Sequence, residues 1–246
     1  NAGIEVWLLD LPSDGENVNS LSAKGLERLK DPDMPGLMSV EAEKLIRLGN
    51  TRDDFHQLED CDWVAEAVVE RLDIKRALYH QLNDVCKDTT IITSNTSTIP
   101  ISLLTKGMPK KFCERFAITH FFNPVRFMRL LELVRGEFTR DDVINTLDMF
   151  SETMLGKGVV SCSDTPGFLA NRVGVFAIQC ALYKAFKYKL SPTEADAFFG
   201  RPLGLPKTGV FGLYDLIGID LMADVVKSLV SILPENDAFH KYSSPI

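Results

Sequence analysis

Asp62-Trp-Val-Ala-Glu-Ala-Val-Val-Glu70 leads through Arg71 into Leu72-Asp-Ile-Lys-Arg-Ala-Leu-Tyr-His-Gln-Leu-Asn-Asp-Val85, and Thr89-Thr-Ile-Ile-Thr-Ser94 follows. The first stretch reads as a strand, the second as a helix over Leu72–Val85, and the third as another strand. Strands alternating with helices predict a parallel sheet. Open sheets of this kind place ligands at the C-terminal ends of their strands. Glu70 falls at such an end, as does the loop Ser94-Asn-Thr-Ser-Thr98.

Upstream, Glu5-Val-Trp-Leu-Leu-Asp10 is apolar, ends in an acid and stops at Pro12. It reads as a buried parallel strand with a carboxylate at its C-terminal edge. In dinucleotide folds an acid at that place binds the adenosine ribose hydroxyls and repels a 2'-phosphate, so Asp10 predicts NAD over NADP. An ordinary strand-ending aspartate would look the same. Residues 17–30 have helical spacing, Asp31-Pro-Asp-Met-Pro-Gly36 breaks it, and a second helix is expected over Ser39–Leu48. Lys24, Arg28 and Lys30 could hold a large anionic ligand tail, or form a solvated face.

Downstream, Phe116-Ala-Ile-Thr-His-Phe-Phe-Asn-Pro124 delivers a histidine on an apolar strand and turns at Asn123-Pro124. Met128-Arg-Leu-Leu-Glu-Leu-Val134 returns with one carboxylate among apolar residues. His120 and Glu132 are therefore expected to be partly buried and within hydrogen-bond reach. A carboxylate on one imidazole nitrogen fixes the tautomer and stabilises the imidazolium, so the other nitrogen can take a proton. A structural histidine beside an unrelated glutamate is the alternative.

Asp141–Leu155 reads as a helix and Val159–Cys162 as a last strand. After Asp164-Thr-Pro-Gly167 the apolar spacing turns helical and strands disappear. Residues 1–164 therefore read as an α/β domain and 165–246 as an all-α domain. A long helix is expected over Asn171–Phe186. Ser191-Pro-Thr-Glu194 is a capping box with proline at the first helical position. Asp220 is expected to cap a final helix that ends at Pro234, and residues 235–246 to be loosely held. Val173, Leu216, Ile217 and Leu221 lie in segments apolar enough to predict an exposed patch that pairs with a second copy or a neighbouring domain.

With 246 residues, 45% hydrophobic and 25% charged, the composition is that of a soluble globular protein. The net charge of -7 and the lack of a dense basic cluster argue against a nucleic-acid partner. Five cysteines without CxxC spacing read as reduced intracellular thiols, and no histidine sits in a metal-ligand motif. No apolar run reaches the length of a membrane span, and cytoplasm is the default. No GxGxxG precedes Glu5–Asp10. The chain is therefore expected to begin after the glycine-rich turn of a Rossmann-like domain, with a gap beside Glu5–Asp10 where a central strand belongs and weakened cofactor binding.

Taken together, Glu66-Ala-Val-Val-Glu70 with Lys75, Ser94-Asn-Thr-Ser97, His120-Phe-Phe-Asn-Pro124, Glu132 and Asp164-Thr-Pro-Gly-Phe-Leu-Ala-Asn-Arg172 resemble the NAD-dependent L-3-hydroxyacyl-CoA dehydrogenases of fatty-acid β-oxidation. A looser match covers Gly204–Asp220, and the likeness is strongest to bacterial forms fused to an enoyl-CoA hydratase unit. The resemblance implies that His120 is the base that takes the 3-hydroxyl proton as hydride leaves for the nicotinamide. It implies that Glu132 orients His120, that Ser97 bonds near the reacting oxygen, and that Asn171 holds the acyl group. Asp10, Glu70, Lys75, Asn123 and Ser97 match cofactor-contacting positions. A homodimer or an associated hydratase unit is the implied partner. The family's lysine after Gly218-Ile-Asp220 is absent here, where Leu221-Met-Ala-Asp224 follows. Two other readings stay open: an inactive or truncated structural or dimerising relative, and a two-domain dehydrogenase acting on another small hydroxy acid.

Overall fold

The computed structural model describes residues 1–204 and 207–243. The looser match over Gly204–Asp220 therefore includes two positions, and the tail three, that lie outside the described residues. The chain forms two compact units, Asn1–Thr96 with Ile101–Cys162, and Ser97–Pro100 with Ser163–Ile246.

In chain order the first unit contains β1 (Val6–Asp10), α1 (Ser20–Arg28), β2 (Ile46–Asn50), β3 (Trp63–Glu66), α2 (Leu72–Val85) and β4 (Ile91–Ser94). Then come α3 (Ile101–Leu104), α4 (Lys110–Glu114), β5 (Phe116–Phe121), β6 (Leu130–Arg135), α5 (Asp141–Thr153) and β7 (Gly158–Cys162). A five-stranded sheet has the order β3-β4-β5-β6-β7. The β3–β4, β4–β5 and β6–β7 ladders are parallel, while β5–β6 is antiparallel, because the chain turns straight back after Pro124.

Successive side chains on a strand point to opposite faces, and β5 uses both. Phe116 packs on Tyr79 of α2 and Phe112 of α4, with ring centroids 5.1 and 5.5 Å apart. Ala117 points the other way and joins Leu133, Val143 and Leu147 under α5. Helices thus cover both faces of the sheet, and burial of these large side chains stabilises it by ~1.5–3 kcal/mol each.

β1 and β2 form a separate two-stranded parallel ladder, with no hydrogen-bonded strand neighbour in the larger sheet among the described residues. Two expectations are corrected here. The stretch expected as a helix over Ser39–Leu48 is a short 3-10 helix, Val40–Leu45, followed by β2. Ladder pairing with β1 outweighs local helix propensity. Gly49 fits the ladder closely, since a Cβ there would lie 2.8 Å from Leu9 Cδ2 and 2.7 Å from an Asp54 carboxylate oxygen. The expectation of a buried β1 also fails: paired on one side only, it leaves Val6 47% exposed. Lys30 is held by Glu27 and Glu43, and Arg28 lines a shallow depression with carboxylates as well as Lys24, so this face is mixed in sign.

The second unit contains α6 (Ala170–Lys187), α7 (Pro192–Phe198), α8 (Phe211–Ile217) and α9 (Ile219–Ile232). The capping box at Ser191 and Glu194 starts α7. Asp196 on that helix accepts the amides of Val210, Phe211 and Gly212, satisfying the first turn of α8 with one carboxylate. Gly209 is required at this approach: its φ is +67°, and a Cβ would lie 2.5 Å from Asp196. Asp220 does not cap α9. Gly218 holds that position at φ +100° and Asp220 sits in the first turn, where its charge suits the helix N-terminus. The segment after Pro234, expected to be loose, is held through its described part. Phe239 is fully buried with Val175 and Leu229, and Asp237 pairs with Arg172. Val173, Leu216, Ile219 and Leu221 remain exposed.

Candidate active site

The β5–β6 register sets His120 directly opposite Glu132. Their side chains meet at 2.7 Å between Nδ1 and Oε2, with His120 5% and Glu132 0% exposed. With a carboxylate as acceptor, Nδ1 is the donor, and the tautomer follows. The Cys162 thiol at the end of β7 donates to Glu132 Oε1 at 3.6 Å, and the Phe122 ring lies 4.6 Å from the imidazole. A buried carboxylate against an imidazole is the arrangement needed to stabilise a positive charge that arises on the ring.

A second buried cluster lies where β3, α2 and β4 meet. Glu66, the last residue of β3, accepts Lys75 Nζ at 2.7 Å and the Val68 amide at 2.7 Å on Oε1. On Oε2 it accepts the Tyr79 hydroxyl at 2.7 Å and the Ser94 hydroxyl at 2.6 Å. Lys75 also reaches Glu70 at 3.3 Å, and Thr96 donates its hydroxyl to Glu70. Burial first, and then the charge of Glu66, push the Tyr79 phenol far above its ordinary pKa, so it stays a donor. The side chains of Lys75 and Glu66 are 1% and 0% exposed, whereas that of Glu70 is 41% exposed.

The structure thus brings His120 to Glu132 and Glu70 to Lys75. Asp10 closes β1 in the smaller ladder, exposed, with its Oδ1 accepting the Leu11 amide. Asn123 is exposed after β5 and joins Pro124 through a cis peptide bond. Ser97 belongs to the second unit, as does Asn171 in the first turn of α6. Sequence reasoning left Glu66, Tyr79, Ser94 and Cys162 without roles. The one usable signal was an acid at position 66 inside a valine-rich strand, nine residues before a lysine on the following helix. The thiols are all free, and Cys86 alone of the five is buried. Among the described residues no helix is long and apolar enough to cross a membrane.

Residues 1–165 match the family model described as 3-hydroxyacyl-CoA dehydrogenase, NAD binding domain, and residues 167–244 match the 3-hydroxyacyl-CoA dehydrogenase, C-terminal domain. A Rickettsia prowazekii protein described as "Putative fatty acid oxidation complex trifunctional enzyme" is 40% identical over 98% of this chain and 34% of its own length. A Deinococcus radiodurans protein described as "Probable 3-hydroxyacyl-CoA dehydrogenase" is 40% identical over 97% of this chain and 69% of its own length. Among solved structures, M. tuberculosis FadB2 aligns with a TM-score of 0.81 at 27% identity, covering 97% of this chain and 82% of that one. The 3-hydroxybutyryl-CoA dehydrogenase of Escherichia coli K12 aligns at 0.77 and 32% identity, covering 94% of this chain and 48% of that one. The chain spans about a third (34%) of the length of the rickettsial relatives. An NAD-binding α/β unit followed by a helical C-terminal unit, with both family models matched in order, leads to one assignment: the chain belongs to the 3-hydroxyacyl-CoA dehydrogenase family.

Proposed function

We propose that the protein oxidises L-3-hydroxyacyl-CoA to 3-ketoacyl-CoA, with NAD as the hydride acceptor. The observation that carries this reading is the buried 2.7 Å pair of His120 and Glu132. NAD supplies the acceptor for the hydride that leaves C3. His120 takes the 3-hydroxyl proton as the carbonyl forms, and Glu132 orients the ring and stabilises its new charge. Ser97 holds the reacting oxygen and Asn171 the acyl group.

The residues present suit a dinucleotide. Asp10 offers a carboxylate to ribose hydroxyls at the carboxyl end of a parallel strand, which disfavours a 2'-phosphate. Glu70, Lys75 and Asn123 serve as cofactor-holding positions, Lys75 through its ion pair with Glu70. Residues 1–164 serve the cofactor and 165–246 the substrate and assembly. The exposed Leu216, Ile219 and Leu221 surface supports pairing with a second copy or a fused hydratase unit. The site of action is the cytoplasm.

Steady-state kinetics with a 3-hydroxyacyl-CoA and NAD test the reading. Glu132→Gln is expected to lower kcat much more than it raises KM, because the charge it supports arises mainly in the transition state. Unchanged kcat in that variant would remove Glu132 from the chemistry. Equal turnover of a hydroxy acid lacking CoA would favour a smaller-substrate dehydrogenase.

A further inference from the structure

We propose that Glu66 is a positioning residue for dinucleotide binding: it locks Lys75 and Glu70 into one closed ring of hydrogen bonds. The proposal rests on the reading of Glu70 and Lys75 as cofactor-holding residues. The ring runs from Glu66 Oε1 to Lys75 Nζ at 2.7 Å, and from there to Glu70 Oε2 at 3.3 Å. Glu70 Oε1 accepts the Thr96 hydroxyl, the Thr96 amide donates to Ser94 Oγ at 3.2 Å, and Ser94 Oγ donates to Glu66 Oε2 at 2.6 Å. β3, α2, the segment after β3 and the end of β4 are tied in one circuit.

Three features separate this role from ordinary core packing. First, two oxygens of Glu66 take four donors, the full number of favourable lone-pair positions on a carboxylate. Glu66 thus has no acceptor left for a ligand, and acts through its neighbours. Second, a lysine only 1% exposed needs a compensating anion, and Glu66 is the fully buried one beside it. Third, Glu66, Lys75, Ser94 and Thr96 are all at most 3% exposed, so the ring meets solvent at Glu70. Two carboxylates and one ammonium leave the ring with a net negative charge that Glu70 presents. If Glu66 loses its charge, Lys75 turns to Glu70 alone, neutralises it and draws it inward.

The test is a double-mutant cycle on the full-length protein, with Kd for NADH and NAD measured by titration and urea midpoints in parallel. Glu66→Gln and Lys75→Met are each expected to weaken dinucleotide binding about tenfold or more, and the double variant to be no worse than the weaker-binding single, because they break one circuit. For Glu66→Gln, KM for NAD should rise while kcat at saturation stays within about twofold, since Glu66 acts only through its neighbours. Additive losses, or a lowered urea midpoint with unchanged Kd, would make Glu66 a structural residue only and overturn the proposal. Should Glu66→Gln fail to fold, Ser94→Ala opens the same ring while leaving every charge in place. A KM for NAD raised about threefold supports the proposal, and an unchanged KM overturns it. If the wild-type protein binds neither NAD nor NADH, the dinucleotide reading itself fails, a result distinct from any difference among variants.

Discussion

The His120–Glu132 pair and the Glu66–Lys75 pair both set a buried carboxylate against a nitrogen group in the same unit, yet they are built in opposite ways. The first is set by one antiparallel register, with partners 12 residues apart on neighbouring strands. The second needs β3, α2 and β4 together and spreads its charge over four donors. In the proposed reaction a proton arrives on His120, so the carboxylate beside it prepares a charge that comes and goes. Lys75 is closed in by Glu66 and Glu70 and takes no part in that proton transfer, so its pair prepares a shape. A buried ion pair therefore says little until one asks whether its cation can change charge.

The sharpest way to break this contrast is His120→Asn, which keeps a donor beside Glu132 and should lower kcat by about 10²–10⁴-fold with little change in the urea midpoint. A large loss of stability instead would place His120 with the structural pairs. Next in size, Lys75→Met leaves Glu66 buried without its cation and is expected to cost ~3–5 kcal/mol of unfolding free energy, read by urea titration. Restoring much of that loss by adding Glu66→Gln would show that the penalty is the unpaired carboxylate. The smallest effect sharpens the contrast with a third cation. Lys157 is held by the carbonyls of Val125 and Met128, and burial lowers its pKa from 10.5. Its folded state gives up the proton sooner than its unfolded state, so protonated Lys157 costs stability below the lowered value. Stability should rise with pH from that value up to the unfolded 10.5. Lys157→Met should flatten this alkaline rise in thermal unfolding scans, and an identical slope in both proteins would count against it.

The unequal construction also explains what could be read in advance. His120 and Glu132 stand on apolar stretches separated by one turn, so strand alternation alone brought them face to face. The helices α2, α5 and α6 were legible because their periodic faces pack on a sheet or a helix. The role of Glu66 is not legible in the sequence, because its partners Tyr79 and Ser94 lie 13 and 28 residues away and meet it through tertiary packing. β2 is hidden in the sequence for a related reason: Ile46–Asn50 is a strand only because β1 lies beside it. Phe239 shows the same limit, since a polar tail hid one aromatic anchor whose pocket is made by α6 and α9.

The bond from the Val68 amide to Glu66 has a consequence on the time axis. Val68 lies outside any strand or helix, where backbone amides ordinarily trade their hydrogens with deuterium in solvent quickly. Its hydrogen, held by a fully buried carboxylate, can exchange only when the charge circuit opens. In a deuterium-labelling experiment this irregular residue should therefore keep time with Lys75 and the core of α2, and report how long the Glu70 carboxylate stays in one place.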